Sequence, residues 1–364
     1  MSLLHLNSLS LTQFKNYGSR AFEFPERIVG FCGPNGAGKT NLLDAIYYLC
    51  LTRSYFGKSD PGNISFGMNG FRIEGKFARQ GQPFTAACIL RETGKKEMQL
   101  NGEVYTKFSQ HVGRFPVVVV APDDVTLVAG GSEERRKLLD TIISQLDPDY
   151  LQQLIQYTKV LQQRNSLLKQ FAESGRSDQA LLSVLDDQLM APGDFIFQKR
   201  NEFLAGYIDE VVKMYKMIAG MEEGLNLVYQ SQLLSHSFAD LLQRNRDKDL
   251  YAQRTTGGIH RDELEIRLGD QPLRQIASQG QRKSLLFALK LAEFNVLRQH
   301  NGFEPILLLD DVFEKLDESR MHNLLDWACV ENQGQVFLTD THCSRMTTAL
   351  EKLNTVFQVV ELSL

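Results

Sequence analysis

The chain has no apolar run near the roughly 18 residues of a membrane span, and no basic N-terminal stretch leading into an apolar core. No membrane association or secretory leader is therefore expected, and the expected compartment is the cytoplasm of a bacterium or its equivalent. Cysteine is scarce: Cys32, Cys50, Cys88, Cys329 and Cys343 form no C-x-x-C pair and no zinc-like spacing. Their odd number argues against a disulfide framework and leaves free buried thiols as the expectation. Positive charge is not in excess, with 40 Lys and Arg against 44 Asp and Glu and a net charge of −4. A nucleic-acid partner would thus have to be held by local basic patches. There is no repeat array, low-complexity tract or long linker. No nuclease constellation is evident, because the histidines are scattered and no second carboxylate cluster has metal-ligand spacing. At 364 residues, 43% hydrophobic and 23% charged, what remains is an ordinary globular chain with room for two or three domains.

Against that plain background residues 33–40 read GPNGAGKT, a complete G-x-x-x-x-G-K-[ST] phosphate-binding loop. The apolar run Ile28-Val29-Gly30-Phe31-Cys32 before it suits a buried strand, and Leu42, Leu43, Ile46 and Leu49 after it recur at helical spacing. Gly33, Gly36 and Gly38 let backbone N–H groups of the loop, including those around Pro34, Asn35 and Ala37, turn toward an anion. A helix opening near Gly38 adds its positive end. Lys39 would reach the β- and γ-phosphates, and the Thr40 hydroxyl would join a Mg²⁺ shell, with Asn41 beside it.

Short strand signals fill residues 1 to about 120: Leu4, Leu6, Leu9 and Leu11, then Phe71 to Phe77, Phe84 to Leu90 and Val117 to Val120. From about 130 to 220 the pattern is helical, with Leu138, Leu139, Ile142 and Ile143 on one face and Leu154, Leu161 and Leu168 seven apart. A break is expected over residues 174–177, and Pro192-Gly193 should kink or break a helix. After Thr255 the pattern is mixed, with buried strands at Ile306 to Leu309 and Val336 to Leu338. The simplest reading is α/β: residues 1–125 as the first part of a nucleotide-binding head, 126–250 as an inserted helical arm, and 251–364 as the rest of the head.

Ile306-Leu307-Leu308-Leu309-Asp310-Asp311 is a buried strand delivering two carboxylates to its carboxyl end, where α/β sheets bind ligands. Asp310 would support Mg²⁺ and Asp311 would orient or deprotonate the attacking water. Some 30 residues earlier, Ser278-Gln279-Gly280-Gln281 opens a helix. Taken alone it is a plain N-cap; in this order along the chain it matches the signature segment of ABC-type ATPases, as Leu316-Asp317 matches the pair that follows their acidic strand.

Together with Phe14-Lys15-Asn16-Tyr17, Thr52-Arg53-Ser54-Tyr55, Ala121-Pro122-Asp123-Asp124, residues 134–140 (ERRKLLD) and residues 255–262 (TTGGIHRD), these blocks resemble the RecF family of SMC-like ABC-type ATPases over essentially the whole chain. The resemblance implies an ABC-type head, a mixed or parallel sheet with an antiparallel β subdomain, carrying a helical arm. It implies weak DNA-linked ATP hydrolysis and an ATP-induced homodimer in which Ser278, Gly280 and Gln281 of one copy contact the nucleotide of the other. Lys15 and Asn16 would lie near adenine and ribose. The implied task is a clamp on single-stranded, gapped and duplex DNA in recombinational repair and replication-fork maintenance, with RecO and RecR, helping RecA load and serving the SOS response. Arg53 would sit near nucleotide or DNA, and Arg135, Arg136 and Lys137 would touch phosphates or form a salt-bridged helix face. His260 is best read as a satisfied polar turn.

Departures from the family pattern carry their own expectations. Ala121 to Asp124 stand where a γ-phosphate-sensing glutamine is common, so that task falls to an Asp or lapses. Gly130-Gly131-Ser132 lacks a usual proline, and Phe313-Glu314-Lys315 replaces a small-residue pattern. Asp311 replaces a glutamate, consistent with slow turnover. His342 resembles a switch histidine, with Asp340 and Thr341 as competitors. The other readings of the same chemistry are a transporter ATPase subunit and a non-hydrolysing nucleotide-binding scaffold.

Overall fold

A computed structural model of the chain describes residues 4–175, 178–314 and 318–363, so Leu316 and Asp317 lie outside the described residues. The chain divides into two compact units. One comprises Met1–Val125, Lys213–Glu222 and Ser278–Leu364; the other comprises Thr126–Val212 and Glu223–Ala277.

The first unit holds two sheets. Its antiparallel sheet runs in the spatial order Tyr17–Glu23, Leu4–Phe14, Phe71–Arg79, Gln82–Leu90, Lys96–Leu100, Glu103–Val104. Leu4, Leu6, Leu9 and Leu11 are all buried although the step from Leu6 to Leu9 breaks strict alternation. A register shift between Leu6 and Ser8 accounts for this: one extra residue returns the later leucines to the core face. The second sheet runs Phe357–Glu361, Ile28–Cys32, Val336–Asp340, Ile306–Leu309, Val117–Val120, and every pairing in it is parallel. Its three inner strands are wholly buried, as near-continuous apolar runs in parallel sheets should be. The helix Lys39–Leu51 is apolar on nearly all sides, with Leu42, Leu43, Ile46 and Leu49 inaccessible, and it packs against strands of both sheets.

His111 is sealed in this unit with Nε2 2.6 Å from the Leu49 carbonyl. Burial, only partly opposed by that bond, lowers its pKa to about 4. The unfolded chain binds the proton at higher pH than the folded one, so stability is full above about 6.5 and is lost as pH falls toward 4. That displacement corresponds to on the order of 3 kcal/mol. Denaturant unfolding at pH 7 and pH 4.5 should show a smaller acid-induced loss for His111→Gln than for the natural chain; equal losses would show that His111 is not responsible.

The second unit is mainly helical. Asp147 accepts hydrogen bonds from Asp149 N (2.9 Å) and Tyr150 N (3.1 Å), Pro148 takes the first helical position, and Gly175 at φ 68° closes the helix Pro148–Ser174. The next helix, Gln179–Ala219, runs through Pro192 without ending. Gly193 beside it lies so near the Phe238 ring that a Cβ there would come within 2.1 Å, so close packing holds this stretch. A small antiparallel sheet of Leu225–Gln230, Glu263–Leu268 and Gln271–Pro272 completes the unit.

The expectation of free thiols throughout requires correction. Cys32 and Cys343 form a disulfide, their Cα atoms 5.1 Å apart and their positions 311 residues apart in sequence, while Cys50, Cys88 and Cys329 are free and buried. Residue spacing reveals only local pairs, and the adjacency of the two strand ends creates this one.

Candidate nucleotide site

The strand Ile28–Cys32 ends at Gly33 and the helix Lys39–Leu51 begins six residues later, so the loop between them crosses the carboxyl end of the parallel sheet. Gly33, Gly36 and Gly38 take φ values of 147°, 88° and 99°. Gly38 must be glycine for a second reason: a Cβ would fall 2.5 Å from the Asn16 amide nitrogen and 2.7 Å from the Tyr17 hydroxyl. Those two side chains brace the start of the helix. Tyr17 donates to the Gly38 carbonyl (3.1 Å), and Asn41 donates to Asn16 Oδ1 (2.8 Å). Burial, slightly offset by Arg20, pushes the Tyr17 phenol up to about 12, which keeps it a donor. Lys15 ion-pairs with the fully buried Asp44 of the same helix at 2.5 Å.

Lys39 Nζ donates to the Gly33 carbonyl (2.7 Å) and the Pro34 carbonyl (2.9 Å), which folds the loop around its ammonium. Beside it the Thr40 hydroxyl lies 3.1 and 3.0 Å from the two Asp310 oxygens. Asp310 is fixed from the other side by Thr339, whose hydroxyl donates to Oδ1 at 2.7 Å and accepts the Asp311 N–H at 2.8 Å. One hydroxyl thereby orients two successive carboxylate residues. Burial raises the Asp310 pKa, opposed by Thr339 and Thr40, so the carboxylate is most stable with further positive charge near it. Asp311 adopts φ 51°, a left-handed conformation rare for a non-glycine residue and costly enough that strained sites of this kind cluster where function demands them.

These parts enclose a cavity of about 300 Å³ lined by Asn35, Gly36, Gly38, Lys39, Thr40, Asn41, Pro122, Asp310, Asp311, Thr339 and Thr341. Thr341, expected only as a competitor of His342 for the switch role, lines the cavity, whereas Thr339 has no signal in the sequence beyond its place at the carboxyl end of the buried strand next to that of Asp310. The cavity residues do not include Lys15, Asn16, Ser278, Gly280, Gln281 or His342. Ser278 caps the helix Gln279–Asn301 in a reciprocal capping box with Gln281, accepting from Gln281 N (3.2 Å) while Ser278 N donates to Gln281 Oε1 (2.9 Å). Gly280 sits against the Arg320 guanidinium. His342 is exposed and lies along a separate groove with Phe313, Met321 and Arg345. Burial would raise the Asp340 carboxyl, but hydrogen bonds from Arg345 and from the His342 and Thr341 backbone hold it below the usual range.

At the place of the absent glutamine, Pro122 faces the cavity while Asp124 turns away. One Asp124 oxygen accepts Ala121 N (2.8 Å) and the other accepts the Tyr55 hydroxyl. The basic residues singled out in the arm are engaged internally: Arg135 makes a two-pronged pair with Glu263 (2.7 and 2.9 Å), Arg136 donates to the Asp262 carbonyl (2.6 Å), and Lys137 pairs with Glu133 and Glu134. His260 bonds Tyr157 and the Thr255 carbonyl.

Comparison with known proteins finds a match over residues 5–362 to the family described as the RecF/RecN/SMC N terminal domain. The chain is 42% identical to a DNA replication and repair protein RecF of Flavobacterium johnsoniae, covering 99% of this chain and 100% of that one. It is 38% identical to a protein of the same name from Phocaeicola vulgatus, covering 97% and 95%. Among solved structures, the recombination mediator protein RecF-ATP of the RecFOR pathway superposes with a TM-score of 0.86 at 29% identity, covering 94% of this chain and 93% of that one. An Smc head domain from Pyrococcus furiosus, at 15% identity, a TM-score of 0.54 and coverage of 95% and 92%, shares the fold.

Proposed function

The chain belongs to the RecF family, within the RecF/RecN/SMC group, and from that membership we propose that it is an ATP-dependent DNA clamp of recombinational repair and replication-fork maintenance. It closes as a homodimer on single-stranded, gapped or duplex DNA, hydrolyses ATP slowly, and acts in the cytoplasm with RecO and RecR to help RecA load and to serve the SOS response. The observation that carries the proposal is the convergence of Lys39, Thr40, Asp310 and Asp311 on one cavity at the carboxyl end of a parallel sheet.

Loop N–H groups and Lys39 bind and orient the β- and γ-phosphates, with Lys39 exchanging its carbonyl partners for phosphate oxygens. The donor chemistry fits Mg²⁺, since a hydroxyl and a buried carboxylate already meet. Among the described residues no group of three or more His, Cys, Asp or Glu forms a protein cage, so phosphate oxygens and water would fill the rest of the shell. Bound there, the cation neutralises phosphate charge. Asp311 holds and deprotonates the attacking water. Ser278 and Gly280 lie outside this cavity, which supports their service to the nucleotide of a second copy; the bound γ-phosphate then favours the closed state. Among the described residues no helix is long and apolar enough to cross a membrane.

Lys39→Met tests the proposal. It should weaken ATP binding about tenfold to a hundredfold, the worth of charge-assisted bonds. Sedimentation and DNA retention should then show no dimer at ATP concentrations that saturate the natural chain. Unchanged dimerisation and DNA retention would sink it.

A further inference from the structure

The disulfide joins the two backbone segments that frame the nucleotide cavity. Cys32 is the last residue of the strand leading into the phosphate loop, and the carbonyl of its neighbour Gly33 accepts from Lys39. Cys343 is the first residue of the helix Cys343–Glu351, two positions after Thr341, which lines the cavity. The strand Ile28–Cys32 pairs in parallel with Val336–Asp340, which places Cys32 beside Asp340, three residues before Cys343. A cross-link there fixes the turn of residues 341–343 against the base of the loop.

Other contacts hold the same helix independently. Met346 and Leu350 are inaccessible, the Met346 thioether packs where a Gly30 Cβ would stand, and Arg345 donates to Asp340 Oδ2 at 2.8 Å. Loss of the bond therefore leaves the helix docked and removes the covalent tether between the turn and the phosphate loop, the turn then being held by its backbone hydrogen bonds to Asp340, among them His342 N to Oδ1 at 3.2 Å. The two sulfurs also differ in access: Cys32 is inaccessible, whereas Cys343 is part-exposed. Small thiols and disulfides can therefore reach the pair through Cys343. A disulfide in a reducing compartment is more often a redox sensor than a staple.

We propose that the Cys32–Cys343 pair is a reversible redox latch on the nucleotide site, pinning the 341–343 turn to the base of the phosphate loop when oxidised and releasing that tether when reduced. The oxidant is a low-molecular-weight disulfide. The Cys343 thiolate attacks one of its sulfurs and expels one small thiolate; the Cys32 sulfur then attacks the mixed disulfide at Cys343 and expels the second. Two electrons pass to the small disulfide, and the two cysteine protons leave on two small thiols. Reduction reverses both steps. Because the turn borders the cavity, the pinned state holds nucleotide longer. The proposal rests on nucleotide binding at that cavity.

The test uses the full chain equilibrated in oxidised or in reduced glutathione, with a fluorescent ATP analogue as probe. Nucleotide dissociation should be about fivefold or more slower in the oxidised protein, the lower end of ordinary coupling between sites. Cys343→Ser should dissociate at the reduced rate in both buffers. Native alkylation followed by peptide mass analysis should find Cys343 modified only in the reduced sample. The three free thiols are buried, and burial raises Cys88 and Cys329 to about 12, so they should stay unmodified in both. Equal dissociation rates in the two states, or Cys343 alkylated equally in both, would overturn the latch. Failure of the analogue to bind in either state would instead overturn the nucleotide site itself.

Discussion

Asp311→Asn should lower ATP turnover by about 10²- to 10³-fold while leaving ATP affinity within a few-fold of the natural chain, because a positioned general base contributes on that scale. The substitution is nearly isosteric, and asparagine tolerates the left-handed φ of 51° as readily as aspartate. The Asp311 N–H bond to Thr339 (2.8 Å) is a backbone contact and survives. What is lost is the capacity to take a proton from water. Under the clamp mechanism, slower hydrolysis prolongs the closed state, so DNA should dissociate more slowly in ATP than from the natural protein. Single-turnover hydrolysis and DNA dissociation measured on the same preparation check both halves. Turnover unchanged by the substitution would remove Asp311 from the chemistry. Absence of turnover in the natural chain would favour the non-hydrolysing scaffold.

The parts of the fold that depend on local periodicity were readable from sequence. Apolar runs at Ile28 to Cys32, Ile306 to Leu309 and Val336 to Leu338 had to be buried strands, and all three lie in the parallel sheet. The GPNGAGKT loop named its own strand and helix. Features that depend on which distant segments become neighbours were not readable. Thr339 orients Asp310 and Asp311 only because the strands Ile306–Leu309 and Val336–Asp340 pair in parallel register. Cys32 meets Cys343 for the same reason. Of the kink or break that Pro192 predicts, the break does not occur: the helix continues through it, with Gly193 packed closely against Phe238. Lys15 illustrates a further ambiguity: its position beside Asn16 and Tyr17 in sequence did not disclose that its charge is spent on Asp44.

Arg200→Met should destabilise the helical unit by about 3–5 kcal/mol, the usual cost of stripping one partner from a buried ion network. Arg200 is buried and satisfies two acids at once, Asp140 at 2.8 Å and Asp262 at 2.9 Å, together with the Ile259 carbonyl at 2.8 Å. Asp262 is itself inaccessible and, once the guanidinium is gone, keeps hydroxyl donors from Tyr229 (2.6 Å) and Ser231 but loses the Arg200 cation beside it. Burial already raises its pKa, and Arg200 is the main opposing influence. Without that cation the carboxyl would titrate still higher, so the folded variant binds a proton that the unfolded chain does not. Stability of the variant relative to the natural chain should therefore recover as pH falls from 7 toward 5, the sign expected when a folded-state carboxyl pKa lies above its unfolded value. Adding Asp262→Asn to Arg200→Met should restore part of the loss at pH 7 and abolish the recovery. Denaturant unfolding of the single and double variants at both pH values measures all three outcomes. ATP affinity of the folded protein should stay unchanged, because the network contributes no residue to the nucleotide cavity. A variant as stable as the natural chain would show that apolar packing, rather than the ion network, holds this unit together.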